Sequence, residues 1–306
     1  MSDIKNVLIY GASGDQGEIQ LAPLLRENYT VRAALRSPNP ADPRFAGIEC
    51  VPADYENPAS LAAASARIDA VLLNMPFIFD KAVAETYGRR VVEAAKGAGV
   101  RLIVFNTSAY VADHDIGLSA HDGRVAIEAV IRASGIAHVI LRPVVFMDNT
   151  LRPWEKPSIV ERGIFAYPAG PTLAISWVAL SDVAEYMVKA LSCPKAWNRN
   201  FIVGGPEVLT GDQVAERLSL GLGRKVIFQS ITPDQFARTM SKLLTGSDCV
   251  EPESIWDRMG QFYRWYNAQP ASPLAVDVLP LLEALPIQPT PFADWAKRQD
   301  WSSHTF

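Results

Sequence analysis

The sequence predicts an α/β fold: a parallel sheet doubly wound by helices on both faces, followed by a smaller C-terminal α/β unit. Three observations predict it. Short apolar runs alternate with helical patterns over roughly the first 140 residues, which is the mark of βαβ units. Those runs are nearly continuous in Val, Ile, Leu and Ala, as expected for strands covered on both faces. A glycine-rich turn follows the first of them directly.

In order, strands are expected at Asn6–Tyr10, Thr30–Leu35, 48–52, Ala70–Asn74, Leu102–Asn106 and 137–141. Helical spacing of apolar residues marks 60–67, Lys81–Gly97 and 123–134, the last through Val125, Ile127, Val130 and Ile131. A helix is also expected after the glycine turn, although Pro23 inside it should cost about 3 kcal/mol or kink it unless the helix is short or bent there. Beyond Arg142 the pattern loosens around Pro153, Pro157, Pro168 and Pro171. A strand at 173–178 follows, then Ser181-Asp182 capping a helix over 183–191, and one more strand at 201–203. Residues 210–220 read as a helix stopped by Gly221-Leu-Gly223, 225–229 as a strand, and Thr232-Pro233-Asp234 as the start of another helix.

Composition narrows the function classes. The chain has 306 residues, 49% hydrophobic and 20% charged, with a net charge of −4. That is ordinary globular composition and argues against disorder and against nucleic-acid binding. Cys50, Cys193 and Cys249 form no CxxC pair, which fits a reducing compartment. The N-terminal residues show no basic segment followed by an apolar one, and no apolar run approaches the roughly 20 residues that span a bilayer. A cytoplasmic protein with no membrane partner is the expectation. His114, His121, His138 and His304 give no HExxH and no Cys/His spacing, so no metal site is assigned. There is no GxxxxGK[ST] and no GxSxG.

The turn Gly11-Ala12-Ser13-Gly14-Asp15-Gln16-Gly17 has the spacing GxxGxxG between a strand and a helix. Such a turn lets the backbone approach a pyrophosphate. NAD sites carry Asp or Glu at the end of the second strand for the ribose 2′-hydroxyl. Here that place reads Leu35-Arg36-Ser37, with no carboxylate before Asp42. A guanidinium pairs with a 2′-phosphate, so NADP(H) is expected rather than NAD(H).

Gly11–Gly17 as GASGDQG, residues 31–36, Pro52-Ala53-Asp54-Tyr55, and Leu141-Arg142-Pro143 with Phe146-Met147-Asp148-Asn149 resemble the NmrA-like family of atypical short-chain dehydrogenase/reductases. The resemblance implies a Rossmann-type dinucleotide-binding domain over 1–150 and 174–206. It also implies a smaller substrate-facing domain over 151–173 and 207–306, with the substrate cleft between the two. Gly11, Ser13, Gly14, Gln16 and Gly17 would hold the pyrophosphate, and Arg36 the 2′-phosphate. Asp54 and Tyr55 would lie near the adenine. Asn74, Met75 and Pro76 would approach the ribose near the nicotinamide, Asn106, Thr107 and Ser108 would join the cofactor contacts at the end of the fifth strand, and Pro143, Val145 and Phe146 would border the nicotinamide.

The resemblance also locates a departure. The family's tyrosine position is Ala120, and its lysine, four residues before Glu128, is Arg124. Arginine can hold ribose hydroxyls but cannot shuttle a proton near pH 7. Three routes stay open: His121, whose ordinary pKa near 6.5 suits proton transfer; Tyr110, after the fifth strand; or a quinone-like acceptor that draws its proton from water. Phe77 stands where it would cover the nicotinamide or simply close its loop. The cluster Phe262-Tyr263-Arg264-Trp265-Tyr266 would line an apolar substrate pocket or pack a helix on the core. The leading reading is an NADPH-dependent oxidoreductase for a small apolar substrate, aromatic, quinone or carbonyl. The alternative is a non-catalytic NADP(H)-binding redox sensor acting through a protein partner. The sequence does not address oligomeric state.

Overall fold

The computed structural model describes residues 4–302, so His304 lies outside the described residues. The chain divides into two compact units. The first runs to Pro143 and adds Leu180–Ile202 and Leu279–Ile287; the second takes Val144–Ala179, Val203–Val278 and the residues from Gln288 on.

In chain order the elements begin β1 (Asn6–Tyr10), α1 (Asp15–Glu18), α2 (Leu21–Arg26), β2 (Thr30–Leu35), β3 (Glu49–Pro52), α3 (Pro58–Ser65) and β4 (Ala70–Asn74). They continue with α4 (Lys81–Gly97), β5 (Leu102–Asn106), α5 (Ser119–Ala133) and β6 (Ala137–Pro143). β7 (Ile164–Tyr167) belongs to the second unit, and α6 (Leu180–Ser192) returns to the first. β8 (Arg199–Val203), α7 (Gly211–Leu222), β9 (Ile227–Ser230), α8 (Pro233–Thr245), α9 (Ile255–Asn267), α10 (Leu279–Ala284) and α11 (Phe292–Arg298) complete the chain.

The main sheet has seven strands in the order β3-β2-β1-β4-β5-β6-β8, with β1 to β6 paired in parallel. This is the Rossmann-type arrangement. Winding reverses between β1 and β4, and open α/β sheets bind ligands at the carboxyl ends of strands beside that reversal. Apolar side chains cover both faces. Leu8, Val71, Leu73, Ile103 and Phe105 pack with Val91, Ala95, Ile127 and Ile131 of α4 and α5. Val7, Ile9, Leu72 and Val104, alternating with them, are fully buried too. Continuous apolar strands are thus explained by helices on each side.

The expected helix after the glycine turn is two short helices, α1 and α2. Pro23 sits in the first turn of the short α2, where its missing N–H has no helical partner to lose. Asn57 and Asp80 cap α3 and α4 through their side chains, each accepting two backbone N–H bonds.

In the second unit β7 and β9 pair in parallel. α7 ends at left-handed Gly223, and α8 opens with a Thr232/Gln235 capping box. The strand expected at 173–178 does not form a ladder. Its backbone N–H groups turn to three different carbonyls: Ile175 to Leu209, Ser176 to Leu274 and Val178 to Val145. Trp177, within it, is buried against Phe165, Tyr167 and Phe292. The aromatic run on α9 contributes to this core. Phe262, Tyr263 and Tyr266 are buried, and the Tyr263 hydroxyl lies 2.6 Å from that of Tyr167.

Candidate functional site

The glycine turn leaves β1 with Gly11 in the left-handed region, at φ +70°. A Cβ on Gly11 would fall 2.4 Å from the Asn74 carbonyl oxygen, and one on Gly17 would fall 2.2 Å from the Gly11 carbonyl oxygen. Both glycines are therefore required by the packing of the turn itself. Gly14 is different. Its φ is −86°, and a Cβ there would meet only the Gly11 oxygen at 3.5 Å, an ordinary contact. The fold does not need glycine at 14, so the bare backbone leaves an open face on the turn. Ser13, Gly14 and Asp15 are exposed there. This open cradle fits a phosphate approaching the backbone.

Behind the turn runs a belt of side-chain amides. Asn74 and Asn106 are register partners at the ends of β4 and β5. The Asn106 Nδ2 donates to Gln16 Oε1 at 2.7 Å and to Asn74 Oδ1 at 3.2 Å. Gln20 Nε2 donates to Asn74 Oδ1 at 3.0 Å, and Asn74 Nδ2 donates to the Tyr10 carbonyl at 3.1 Å. The belt ties the carboxyl ends of β1, β4 and β5 to α1 and its exit. Gln20 was not among the expected residues; its spacing of four from Gln16 was the available signal. Met75 is buried and Pro76 exposed just beyond.

At the end of β2, Arg36 is exposed and has no hydrogen bond or ion pair among the described residues. Arg44, which sequence reasoning passed over, lies against the glycine turn. It pairs with Asp42 at 2.7 Å and Glu18 at 3.0 Å and donates to the Ser13 carbonyl at 3.3 Å. Its guanidinium holds the Asp42 carboxyl below the usual carboxylate range. Tyr55 stacks between Tyr10, with ring centres 6.0 Å apart, and Tyr87, at 5.3 Å. Asp54 precedes it and accepts the Glu56 N–H at 2.9 Å.

The loop from β5 to α5 carries Thr107, Ser108 and Tyr110. Ser108 is left-handed, at φ +62°, and its N–H donates to Asn106 Oδ1 at 2.9 Å. Arg124 is 4% exposed; its Nε donates to the Thr107 carbonyl, its Nη1 to the Ala120 carbonyl at 3.0 Å. The guanidinium carbon sits 4.2 Å from the centre of the Phe77 ring, a cation–π contact. Arg124 thus joins the β5 loop, the first turn of α5 and the loop after β4.

His121 takes a different part from the one expected. It is buried, its Nε2 accepts the Ala112 N–H at 2.8 Å, and its Nδ1 lies 2.9 Å from Asp122 Oδ1. An accepting Nε2 means Nδ1 carries the proton, so both ring nitrogens are engaged. Burial lowers its pKa, with Asp122 opposing. Asp122 also accepts the Ile116 and Gly117 N–H groups. Arg142 pins the same loop, reaching Asp113 at 2.6 Å while forking onto buried Glu128 at 2.8 and 2.6 Å. Tyr110 is half-buried, and burial raises its pKa. Ala120 is buried and supplies no acid.

Pro143 ends β6 and is buried. Val145 and Phe146 fall in the second unit, both buried, with Phe146 bridged to Val178. Among the described residues no group of three His, Cys, Asp or Glu is placed to hold a metal. No helix there is long and apolar enough to cross a membrane.

A model of the NmrA-like family matches residues 3–296. An NAD(P)H azoreductase of Xenophilus azovorans is 30% identical over 301 residues, covering 95% of this chain and 96% of that one. Two solved structures share the fold at 22% identity. A triphenylmethane reductase of Citrobacter sp. complexed with NADP(H) gives a TM-score of 0.78, covering 95% of this chain and 99% of that one. An NADPH-dependent quinone oxidoreductase of Escherichia coli complexed with NADPH gives 0.77, covering 95% and 98%.

Proposed function

Since this chain belongs to the NmrA-like family, we propose that it is an NAD(P)H-dependent reductase that prefers NADP(H) and reduces a small aromatic acceptor, of quinone or azo type. The observation that carries the reading is the open face at Gly14, set against the amide belt at the reversal of the sheet. When bound, the dinucleotide supplies a hydride. The chain's residues bind and orient it. The backbone of Ser13 to Gln16 would take the pyrophosphate, with Gly11 and Gly17 giving the turn its shape. Arg36, without a hydrogen bond or ion pair among the described residues, would take the 2′-phosphate as a charge-assisted pair. Tyr55, already stacked with Tyr10 and Tyr87, would flank the adenine with Asp54. Asn74, Met75, Pro76, Thr107 and Ser108 would border the nicotinamide ribose, with Pro143 toward the ring.

Arg124 acts here by position. Its buried guanidinium holds the β5 loop and the Phe77 loop in place and adds positive charge there. No side chain among Ala120, His121 and Arg124 offers a proton near pH 7, and Tyr110 is the one phenol on the loop. An acceptor that takes a hydride and then draws a proton from water suits this chemistry, because orientation then supplies the rate.

The lack of an acid at positions 120, 121 and 124 favours a second reading, a redox sensor that binds NADP(H) without turning it over. One experiment separates them: oxidation of NADPH against quinones, azo dyes and triphenylmethane dyes, beside titration of NADPH and NADH. Turnover with any acceptor supports the reductase. Tight NADPH binding with no turnover across the panel favours the sensor. Equal affinity for the two cofactors would overturn the preference assigned to Arg36.

A further inference from the structure

The second unit holds a pocket of its own, about 430 Å³ in volume, lined by the 154–162 segment, β7, β9, α8 and Asp248. That is the size of a small-molecule site. Its chemistry is uneven. Trp154 and the buried Phe236 supply apolar walls. Arg238 and Lys242, four residues apart on one face of α8, are exposed and have no ion pair among the described residues. Arg162, donating to Ser158 Oγ at 2.9 Å, is a third cation, and Asp248 is the one exposed carboxylate.

Glu155 also lines the pocket, and only 2% of it is exposed. Its Oε1 accepts the Ala166 N–H at 2.8 Å, the one hydrogen bond of its side chain among the described residues. Burial raises its pKa to about 8, with the Ala166 N–H and Arg162 opposing. Tyr167 and Tyr263 face it from the core side, both held neutral by burial. At pH 7 the carboxyl is therefore an acid and a hydrogen-bond donor. Two unpaired cations, an apolar wall and a neutral carboxyl form a set that complements one ligand class.

We propose that this pocket binds a small aromatic carboxylate. Its ring would lie against Trp154 and Phe236, and its carboxylate would meet Arg238 and Lys242 and accept the Glu155 hydroxyl proton in a hydrogen bond. A cationic ligand is disfavoured by the three basic side chains, and a neutral one leaves the two α8 cations unused.

The test is calorimetric titration of the full chain with benzoate, with benzamide as the neutral control, from pH 6 to 9, with and without saturating NADPH. Benzoate is expected to bind at least tenfold more tightly than benzamide, whether or not NADPH is present. Its affinity should hold to about pH 8 and then fall about tenfold per pH unit as Glu155 ionises. Glu155→Gln should bind with a flat pH profile. The double variant Arg238→Ala/Lys242→Ala alters exposed side chains only and should weaken benzoate at least tenfold with an unchanged Tm. Three results would each overturn the proposal: no benzoate binding, benzoate affinity untouched by the α8 double variant, or loss of binding when NADPH is added.

Discussion

A Cβ at position 14 would meet only the Gly11 carbonyl oxygen, at an ordinary 3.5 Å, whereas one at position 17 would be driven into that carbonyl. The two variants should therefore separate folding from binding. Gly14→Val is expected to melt within a few degrees of the parent and to lose measurable NADPH affinity, read by thermal unfolding and calorimetry. Gly17→Val is expected to lose about 3 kcal/mol or more of stability, because the overlap is with backbone that cannot yield. The sequence alone gave both glycines one meaning, and only the built turn distinguishes them. A second residue-scale expectation concerns Arg36. Arg36→Glu should weaken NADPH at least tenfold and spare NADH, since a charge-assisted pair contributes about 1.5–3 kcal/mol. His121 supplies a third. Its folded pKa is depressed below the ordinary value near 6.5, so the unfolded chain takes up the proton first as pH falls. The stability it contributes is complete above about pH 6.5 and is lost below it. Denaturant melts at pH 7.5 and 5.5 should show a smaller pH dependence for His121→Gln than for the parent.

At the scale of elements, α4 and α5 approach closely through small residues. A Cβ on Gly88 would stand 3.2 Å from Ile127, and one on Gly123 would stand 3.0 Å from the Ala84 Cβ. Gly123→Val should cost about 1–3 kcal/mol by overpacking, measured by urea unfolding. It should also lower turnover, because α5 carries Arg124 one residue on. The strands were legible because a covered parallel strand is apolar throughout: β1, β2, β4 and β5 lie where the sequence placed them. α5 was legible in its apolar stripe but begins at Ser119, four residues before the expected start. The reason is physical. His121, Asp122 and Arg124 are polar and read as surface, yet each is buried by bonding loop backbone. Polar residues that satisfy backbone groups leave no hydrophobic signal. Asn74 and Asn106 were visible as strand-end amides, but their union with Gln16 and Gln20 depends on strand order, which the linear pattern does not carry. The segment 173–178 was misread for the opposite reason. Its apolar content reflects burial of Trp177, while its hydrogen bonds go to three separate chains of backbone.

Taken as a whole molecule, the chain carries two buried titratable groups that pull stability in opposite directions. Glu155 has a folded pKa of about 8 against an ordinary 4.5. Its contribution is complete below about pH 4.5 and is lost as pH rises toward 8, because the unfolded chain ionises first. His121 acts on the acid side. The two slopes oppose each other between about pH 4.5 and 6.5, so the Glu155 loss stands alone above about pH 6.5, and there Glu155→Gln should flatten the fall of Tm with pH. The amides and turn backbone of the dinucleotide site, by contrast, do not titrate. The belt of Gln16, Gln20, Asn74 and Asn106 has no net charge, and the turn offers backbone N–H groups. Arg36 brings a formal charge that has no ion pair among the described residues, and it is exposed. Mobile ions screen an exposed charge over about 8 Å at physiological ionic strength and leave neutral amides nearly untouched. The choice between the phosphorylated and unphosphorylated dinucleotide thus becomes a function of salt: as sodium chloride rises, affinity for NADPH should fall toward that for NADH, while NADH binding scarcely moves.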